Sequence, residues 1–167
     1  MELFEAIAKR ASVRDLAPAD VSDDDIRKIL DAGRRAASGM NVQPREFIVI
    51  KDKDTIEKLG KVQSFIAQAS VVIALVADGN QRFWLEDASA SAENMLLAIT
   101  ALGCATTWVE GTLFPQEEWA KKLLGVPENL RLIILLPIGK PATTPAQKEK
   151  KPLTDIVYAE RYGKKTQ

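Results

Sequence analysis

Seven consecutive apolar residues, Val71 to Ala77, constrain the fold more than any other stretch of this sequence. Asp78-Gly79-Asn80 follows them as a turn signal, so the run has the length of a strand. An uninterrupted apolar strand is typical of a sheet that is covered on both faces. A second buried strand is predicted over Arg131–Ile138. The sequence therefore predicts a central sheet between layers of helices.

Helical and strand patterns alternate imperfectly along the rest of the chain. Helices are predicted over 2–10, from Ser22 to about Ala37, over 52–60 and 63–68, from Phe83 to about Leu102, and from Pro115 to about Leu124. Further strands are predicted over Phe47–Ile50 and Thr106–Val109. The pattern predicts an α+β fold, a three-layer α/β/α sandwich with a mixed sheet of four or five strands. We expect one domain over residues 1–167.

Composition excludes several classes of function. The 23 basic residues balance the 23 acidic ones, so we expect neither a nucleic acid nor a membrane as a partner. The absence of histidine excludes Ser-His-Asp and Cys-His catalysis and the usual zinc sites, so no metal is expected. Cys104 is the single cysteine, which excludes an intramolecular disulfide, and a cytoplasmic location is expected. Its small and apolar neighbours favour a core residue over a nucleophile.

The stretch Arg10-Ala11-Ser12-Val13-Arg14 is the first candidate site. If the chain becomes extended at Arg10, its period of two directs Arg10, Ser12 and Arg14 to the same side. Two guanidinium groups and a hydroxyl suit a phosphate. The alternative is a helix end whose basic residues complement the helix dipole, followed by a solvated arginine. Because no glycine-rich phosphate loop is present, side chains would have to hold any phosphate of a redox cofactor.

A second polar motif follows the second predicted helix: Ala36-Ala37-Ser38-Gly39-Met40-Asn41-Val42-Gln43-Pro44. Together with the Arg-x-Ser-x-Arg stretch upstream, it resembles the nitroreductase family of FMN-dependent oxidoreductases, whose pattern reads roughly Ala-Pro-Ser-Ser-x-Asn-x-Gln-Pro-Trp. Two more matches are Trp108-Val109-Glu110-Gly111 and Lys148-x-Lys150-x-Pro152-Leu153. The four motifs stand in the family's order and extend the resemblance from about residue 2 to 163.

The resemblance implies that one basic cluster binds the phosphate of FMN. Arg10 and Ser12 match the family's phosphate-binding positions, and Lys148 and Lys150 match its C-terminal basic pair. The family more often has arginine at the second of these, so Lys150 would contribute a point charge and not a planar fork.

The resemblance also implies contacts to the flavin ring. Arg14 would lie near its pyrimidine edge, where a positive charge favours acceptance of a hydride. Ser38 and Asn41 would reach the flavin from the other subunit of a homodimer. Glu110 and Gly111 would form a turn whose backbone N–H faces flavin N5, although the residues alone suit a simple turn at the end of a strand. No side chain is expected to act as a catalytic acid or base, since N5 carries the chemistry.

The family's fold is an intertwined homodimer, and the resemblance implies that residues 140–167 extend over the partner subunit. It implies a ping-pong reaction in which NADH or NADPH reduces FMN and a small-molecule oxidant reoxidises it. That oxidant would be a nitroaromatic, a quinone or another flavin. Two alternatives stay open: a different flavin reaction, such as dehalogenation or flavin fragmentation, and an FMN-binding or structural dimer without meaningful turnover.

Some positions depart from the family's pattern. Ala37, Gly39 and Arg45 replace its usual proline, serine and tryptophan. Phe65, two residues after Gln63, stands where larger members place a polar and basic pair near the flavin. A very short connection separates the 71–77 strand from the long helix that follows, whereas larger members insert residues around the substrate. The sequence therefore predicts a small member with an open site.

Overall fold

The structure, a computed structural model, describes residues 1–165. Its helices are α1 (Leu3–Lys9), α2 (Asp23–Arg34), α3 (Lys53–Leu59), α4 (Trp84–Ala101), α5 (Glu117–Leu124) and α6 (Leu153–Ile156). Its strands are β1 (Leu16–Ala17), β2 (Arg45–Ile50), β3 (Val71–Asp78), β4 (Leu130–Ile138) and β5 (Lys140–Pro141). Short 3₁₀ helices cover Gly39–Asn41, Ser64–Gln68 and Phe114–Gln116. The fold is α+β, as predicted.

Strand β3 is the centre of an antiparallel sheet, with β2 on one side and β4 on the other. Successive β3 side chains point to opposite faces. Ile73 and Leu75 pack with residues of α2 and α4, whereas Val72 and Ala74 pack with residues of α3 and α5. Residues 71–77 are all buried, which confirms the prediction made from the apolar run.

Beyond β4, the sheet continues as isolated bridges. They join Ala105 to Gly139 and Val109 to Leu135 in antiparallel pairs, and Ser12 to Thr106 in a parallel pair. The predicted strand Thr106–Val109 is therefore wrong as a regular strand. In the register of the two antiparallel bridges, Thr107 lies opposite Pro137, which has no N–H to donate. The expected mixed sheet thus consists of three regular antiparallel strands and two bridged segments.

Helix α2 begins as predicted and ends early. The hydroxyl oxygen of Ser22 accepts a hydrogen bond from the N–H of Asp25 at 3.1 Å and so caps the first turn. The helix ends at Arg34 and not near Ala37. The guanidinium of Arg45 donates to the carbonyls of Arg34 and Ala36, which a continuing helix would have used for its own backbone.

Helix α4 is the long helix rich in small residues, and it contacts α1, α2 and β3. It lies so close to α2 that a Cβ added to Gly33 would stand 2.7 Å from the sulfur of Met95. Polar side chains of α4 also bind carbonyls near the end of α2: Ser91 donates to Gly33 at 2.8 Å and Asn94 to Ala32 at 3.0 Å. Helix α4 is therefore packed closely against the end of α2.

The C-terminal segment follows β5, which pairs with β1 in a separate two-stranded sheet. Leu153, Ile156 and Val157 are exposed. That residues 140–167 extend over a partner subunit stays a prediction. Within the described range of the chain, no helix is long and apolar enough to cross a membrane.

Candidate functional site

The Arg10–Arg14 segment is extended, as its alternation predicts. Helix α1 ends where the Arg10 N–H donates to the carbonyl of Ala6 at 2.8 Å. The chain then pairs with residue 106, and the Val13 N–H donates to the carbonyl of Thr106 at 3.0 Å. Arg10 is half-buried, whereas Ser12 and Arg14 are exposed.

Arg14 lines a surface cleft of about 220 Å³ together with the predicted turn. The other residues around this cleft are Gln63, Phe65, Trp108, Val109, Glu110, Gly111 and Thr112. The structure thus brings together Arg14, Glu110 and Gly111, three residues that the resemblance assigned to the flavin ring. It also gives Gln63 and Phe65 a position in the same cleft.

The turn that begins at Glu110 presents backbone N–H groups. The Glu110 carbonyl accepts hydrogen bonds from the N–H groups of Leu113 at 2.8 Å and Phe114 at 2.9 Å, which closes the turn. Among residues 1–165, the N–H groups of Glu110 and Gly111 find no acceptor. The Glu110 carboxylate accepts from the indole Nε1 of Trp108 at 2.8 Å, which fixes its orientation. The turn can therefore donate backbone hydrogen bonds to a ligand in the cleft.

The C-terminal tail returns to the Arg10–Arg14 segment. The Ala142 N–H donates to the carbonyl of Asp15 at 3.1 Å. Further along, Gln147 Nε2 donates to the carbonyls of Arg10 at 2.9 Å and Ile7 at 3.2 Å. These bonds bring the tail to the end of α1 immediately before Lys148 and Lys150, which are exposed. The four candidate phosphate-binding residues thus belong to two segments that run side by side.

Ser38 and Asn41 lie away from this cleft. Their loop precedes β2, at one edge of the sheet, whereas residue 12 lies at the opposite edge, beyond β4 and residue 106. Four strand spacings of ~4.8 Å separate the two edges by roughly 19 Å. The structure therefore does not bring Ser38 and Asn41 to Arg14 within one copy of the chain.

Sequence reasoning missed Gln147 and Thr112. Gln147 binds carbonyls about 140 positions earlier in the chain, so no local sequence pattern indicates this contact. Thr112 lines the cleft only because the Glu110 turn folds back on itself. Cys104, in contrast, behaves as expected, since it packs against the core and burial raises the pKa of its thiol.

A larger groove of about 930 Å³ lies between β1, α3 and the 64–68 helix, and it contains none of the candidate residues. Two of its polar side chains already accept hydrogen bonds from the backbone: Gln68 accepts one from the N–H of Leu16, and Ser70 accepts one from the N–H of Ala19. Lys51, at its rim, is paired with Asp23. The smaller cleft combines the Arg14 cation with backbone N–H groups that have no acceptor among residues 1–165.

Comparison with known proteins identifies the family to which this fold belongs. The nitroreductase family model matches residues 7–64 and 58–140. A protein of Archaeoglobus fulgidus, named "Putative NADH dehydrogenase/NAD(P)H nitroreductase", is 35% identical over 151 residues, which cover 84% of this chain and 86% of that protein. The FMN reductase (NAD(P)H) of Bacillus subtilis is 27% identical over 187 residues, covering 96% of this chain and 74% of that protein.

A crystal structure from Bacteroides thetaiotaomicron, which carries the same name as the Archaeoglobus protein, matches this fold with a TM-score of 0.88. It is 28% identical, and the match covers 96% of this chain and 98% of that one. The chain belongs to the nitroreductase family, so the resemblance drawn from the four motifs is confirmed.

Proposed function

We propose that the protein is an FMN-dependent oxidoreductase that uses NADH or NADPH to reduce a small-molecule oxidant. Its family and the names of its relatives, an NAD(P)H nitroreductase and an FMN reductase, support this proposal. For the oxidant we propose a nitroaromatic, a quinone or another flavin. The balance of 23 basic and 23 acidic residues gives no attraction to a nucleic acid or a membrane, which supports a small molecule as the partner in the reaction. The single cysteine supports a cytoplasmic location.

The observation that carries the proposal is the cleft shared by Arg14 and the Glu110 turn. A cation on one side and free backbone N–H groups on the other form a donor set that suits a heterocycle with several hydrogen-bond acceptors. Phe65 and Trp108 supply aromatic surface beside these donors. Each of these features fits an isoalloxazine ring better than it fits an apolar ligand.

When bound, FMN would supply the redox chemistry, which is acceptance of a hydride from NAD(P)H at N5 and return of the two electrons to the oxidant in a separate half-reaction. The chain's own residues bind and orient it. Arg10, Lys148 and Lys150 would hold the phosphate through their positive charges and Ser12 through its hydroxyl, without a glycine-rich loop. Arg14 would bind the pyrimidine edge, where its charge would favour reduction. The N–H groups of Glu110 and Gly111 would donate toward N5.

We further propose that the working form is a homodimer of three-layer α/β/α domains, each formed by residues 1–167. The cleft of about 220 Å³ is smaller than the pockets of roughly 300–1,000 Å³ that hold typical ligands. A second copy would complete it with Ser38 and Asn41, which lie at the far edge of their own sheet. The exposed apolar segment 153–157 supports an extension that packs on the partner.

Titration of the purified protein with FMN and, separately, with FAD tests this function. We expect tight binding of FMN, followed by its visible spectrum and quenched fluorescence, and weaker binding of FAD because the adenylate would have to pass the phosphate-binding residues. A protein that takes up neither flavin would contradict the cofactor assignment. Tight FMN binding without reduction by NAD(P)H would instead favour the FMN-binding dimer without turnover.

A further inference from the structure

The loop that carries Ser38 and Asn41 has an unusual concentration of left-handed backbone. Met40, Asn41 and Gln43 have φ values of 50°, 57° and 54°. Asparagine adopts this conformation readily, but methionine and glutamine rarely do, because their Cβ atoms crowd the backbone. Such strain persists only where surrounding contacts hold the chain in place.

Contacts from outside the loop hold it at both ends. The Gly39 N–H donates to Asp87 Oδ1 at 2.9 Å, and the Asp78 N–H donates to the carbonyl of Pro44 at 3.1 Å. Inside the loop, the Gln43 N–H donates to the hydroxyl oxygen of Ser38 at 3.2 Å. Asp87 lies on the first turn of α4 and is only 5% exposed, so it offers a fixed acceptor.

Arg45 connects the loop to the end of α2. Its Nη2 donates to the carbonyl of Ala36 at 2.5 Å and to that of Arg34 at 3.2 Å. A cation there interacts favourably with the negative end of the helix. The pKa of the Arg45 guanidinium is lowered, because burial disfavours its charge more than the charge of Asp87 favours it.

The Arg45 side chain is only 8% exposed, and its Nε and Nη1 have no hydrogen-bond partner among residues 1–165. A buried cation that leaves two donors unpaired contributes little net stability to a fold. The family's usual tryptophan at this position would have avoided that cost. The position of Arg45 therefore suggests a role other than stability.

We propose that Arg45 and Asp87 are positioning residues that hold the strained 38–43 loop rigid, so that Ser38 and Asn41 meet the cofactor of a second copy of the chain. Arg45 binds the carbonyl of Ala36, which precedes the loop, and Asp87 accepts a hydrogen bond from the Gly39 N–H at the start of the loop. The inference rests on the proposed function, because it assigns these residues to FMN binding across the interface. Neither residue touches the cofactor itself.

The first test compares Arg45→Met with Arg35→Met. Arg35 is an arginine at the same helix end, but it is exposed and binds only Asp31 among the described residues, so it is a matched control. We expect Arg45→Met to weaken FMN binding about tenfold or more and to speed amide hydrogen exchange at Gly39 and Gln43 in the FMN-free protein. Arg35→Met should leave both quantities unchanged. FMN binding equal to that of wild type in Arg45→Met would overturn the proposal.

The second test changes the loop and leaves Arg45 intact. Met40 is 83% exposed, so Met40→Ala removes its side chain but keeps the restriction on φ, whereas Met40→Gly removes both. We expect Met40→Ala to bind FMN like the wild type and Met40→Gly to bind about two- to fivefold more weakly, without loss of folding stability. Equal FMN binding by the two variants would mean that a rigid loop is not needed.

The two tests keep this inference separate from the proposed function. If Arg45→Met fails to fold, the Met40 pair still decides the question, because both variants keep the buried arginine. If no protein of the series binds FMN, the proposed function fails and the assignment of the pair to cofactor binding fails with it. Faster exchange at Gly39 and Gln43 in Arg45→Met would still show that Arg45 holds the loop. Sedimentation of each variant checks that a change in FMN binding does not reflect loss of the dimer.

Discussion

Gln147 donates a hydrogen bond of 2.9 Å from Nε2 to the carbonyl of Arg10, and a second of 3.2 Å to that of Ile7. This contact connects the C-terminal tail to the end of α1. It brings the tail with Lys148 and Lys150 to the segment with Ser12. Because all four candidate phosphate ligands depend on this alignment, Gln147 is the residue through which the tail can be tested without altering a charge.

Gln147→Ala should weaken FMN binding by about threefold to tenfold. The substitution removes two hydrogen bonds worth roughly 0.5–1.5 kcal/mol each, and the tail then spends less time beside Arg10. Fluorescence titration with FMN measures the effect. Thr143→Ala is the control, since Thr143 is exposed in the same tail and forms no side-chain hydrogen bond within residues 1–165. Equal weakening in both variants would mean that Gln147 has no specific role.

Arg10→Ala should change mainly the affinity for FMN, whereas Arg14→Ala should also change the reduction potential of the bound flavin. Loss of Arg10 removes a charged hydrogen bond to the phosphate and should cost roughly 1.5–3 kcal/mol of FMN binding, with the flavin itself almost unchanged. Loss of Arg14 should also lower the reduction potential, because a cation at the pyrimidine edge stabilises the reduced ring. For a two-electron couple, ~30 mV corresponds to about 1.4 kcal/mol, so the difference is measurable.

Redox titration of both arginine variants, each saturated with FMN, makes the comparison. The expected result is a potential close to that of wild type for Arg10→Ala and a lower one for Arg14→Ala. Equal potentials in the two variants would place Arg14 away from the ring.

Deletion of residues 153–167 should weaken both dimerisation and FMN binding. The exposed Leu153, Ile156 and Val157 begin the deleted segment, and their burial on a partner would contribute apolar contact area to the dimer. Sedimentation equilibrium and FMN titration report the two effects. A truncated chain that is monomeric and still binds FMN stoichiometrically would show that one copy suffices for the site.

The stability of the fold should depend on pH through Glu117. Burial raises the pKa of this carboxyl, but hydrogen bonds from Arg131 and from the Leu132 N–H outweigh it and hold the pKa below its usual value. A lowered pKa in the folded state means that the stabilisation is complete above the unfolded-state pKa of about 4.3 and is lost as the pH falls through the folded-state pKa.

Glu117→Gln should therefore lower the free energy of unfolding at neutral pH by about 1–2 kcal/mol, allowing for the partial exposure of Arg131. The gap to wild type should close as the solution becomes acidic. Glu128→Gln is the control, because its carboxylate is exposed and forms no ion pair within residues 1–165, so a change there should stay within about 0.5 kcal/mol. Urea unfolding across the pH range measures both. A gap that is independent of pH would contradict the assigned role of Glu117.

Those elements whose signals are local could be predicted from the sequence. The uninterrupted apolar run of β3 and the start of α2 at Ser22 depend on neighbours in the sequence, and both predictions are confirmed. The 106–109 segment was mispredicted as a regular strand because Pro137, which interrupts its hydrogen bonding, lies in a different strand. The predicted end of α2 is wrong for a similar reason. Arg45, which lies outside the helix, donates hydrogen bonds to the carbonyls of Arg34 and Ala36.

The candidate site was predictable only through the family's motifs. Nothing in the spacing of Arg14 and Glu110 indicates that the two residues share a cleft; the parallel pairing of Ser12 with Thr106 creates that proximity. The left-handed backbone at Met40 and Gln43 has no sequence signal at all, because neither residue favours it. Tertiary contacts impose it, so only the structure could reveal the strain.

Anaerobic mixing of the FMN-bound protein with NADH or NADPH tests the proposed function most directly. The visible absorption of the bound flavin should bleach rapidly with at least one of the two nucleotides, and a quinone or nitroaromatic added afterwards should restore it. A flavin that stays oxidised with both nucleotides would contradict the assignment of an NAD(P)H-dependent oxidoreductase, even if FMN is bound tightly.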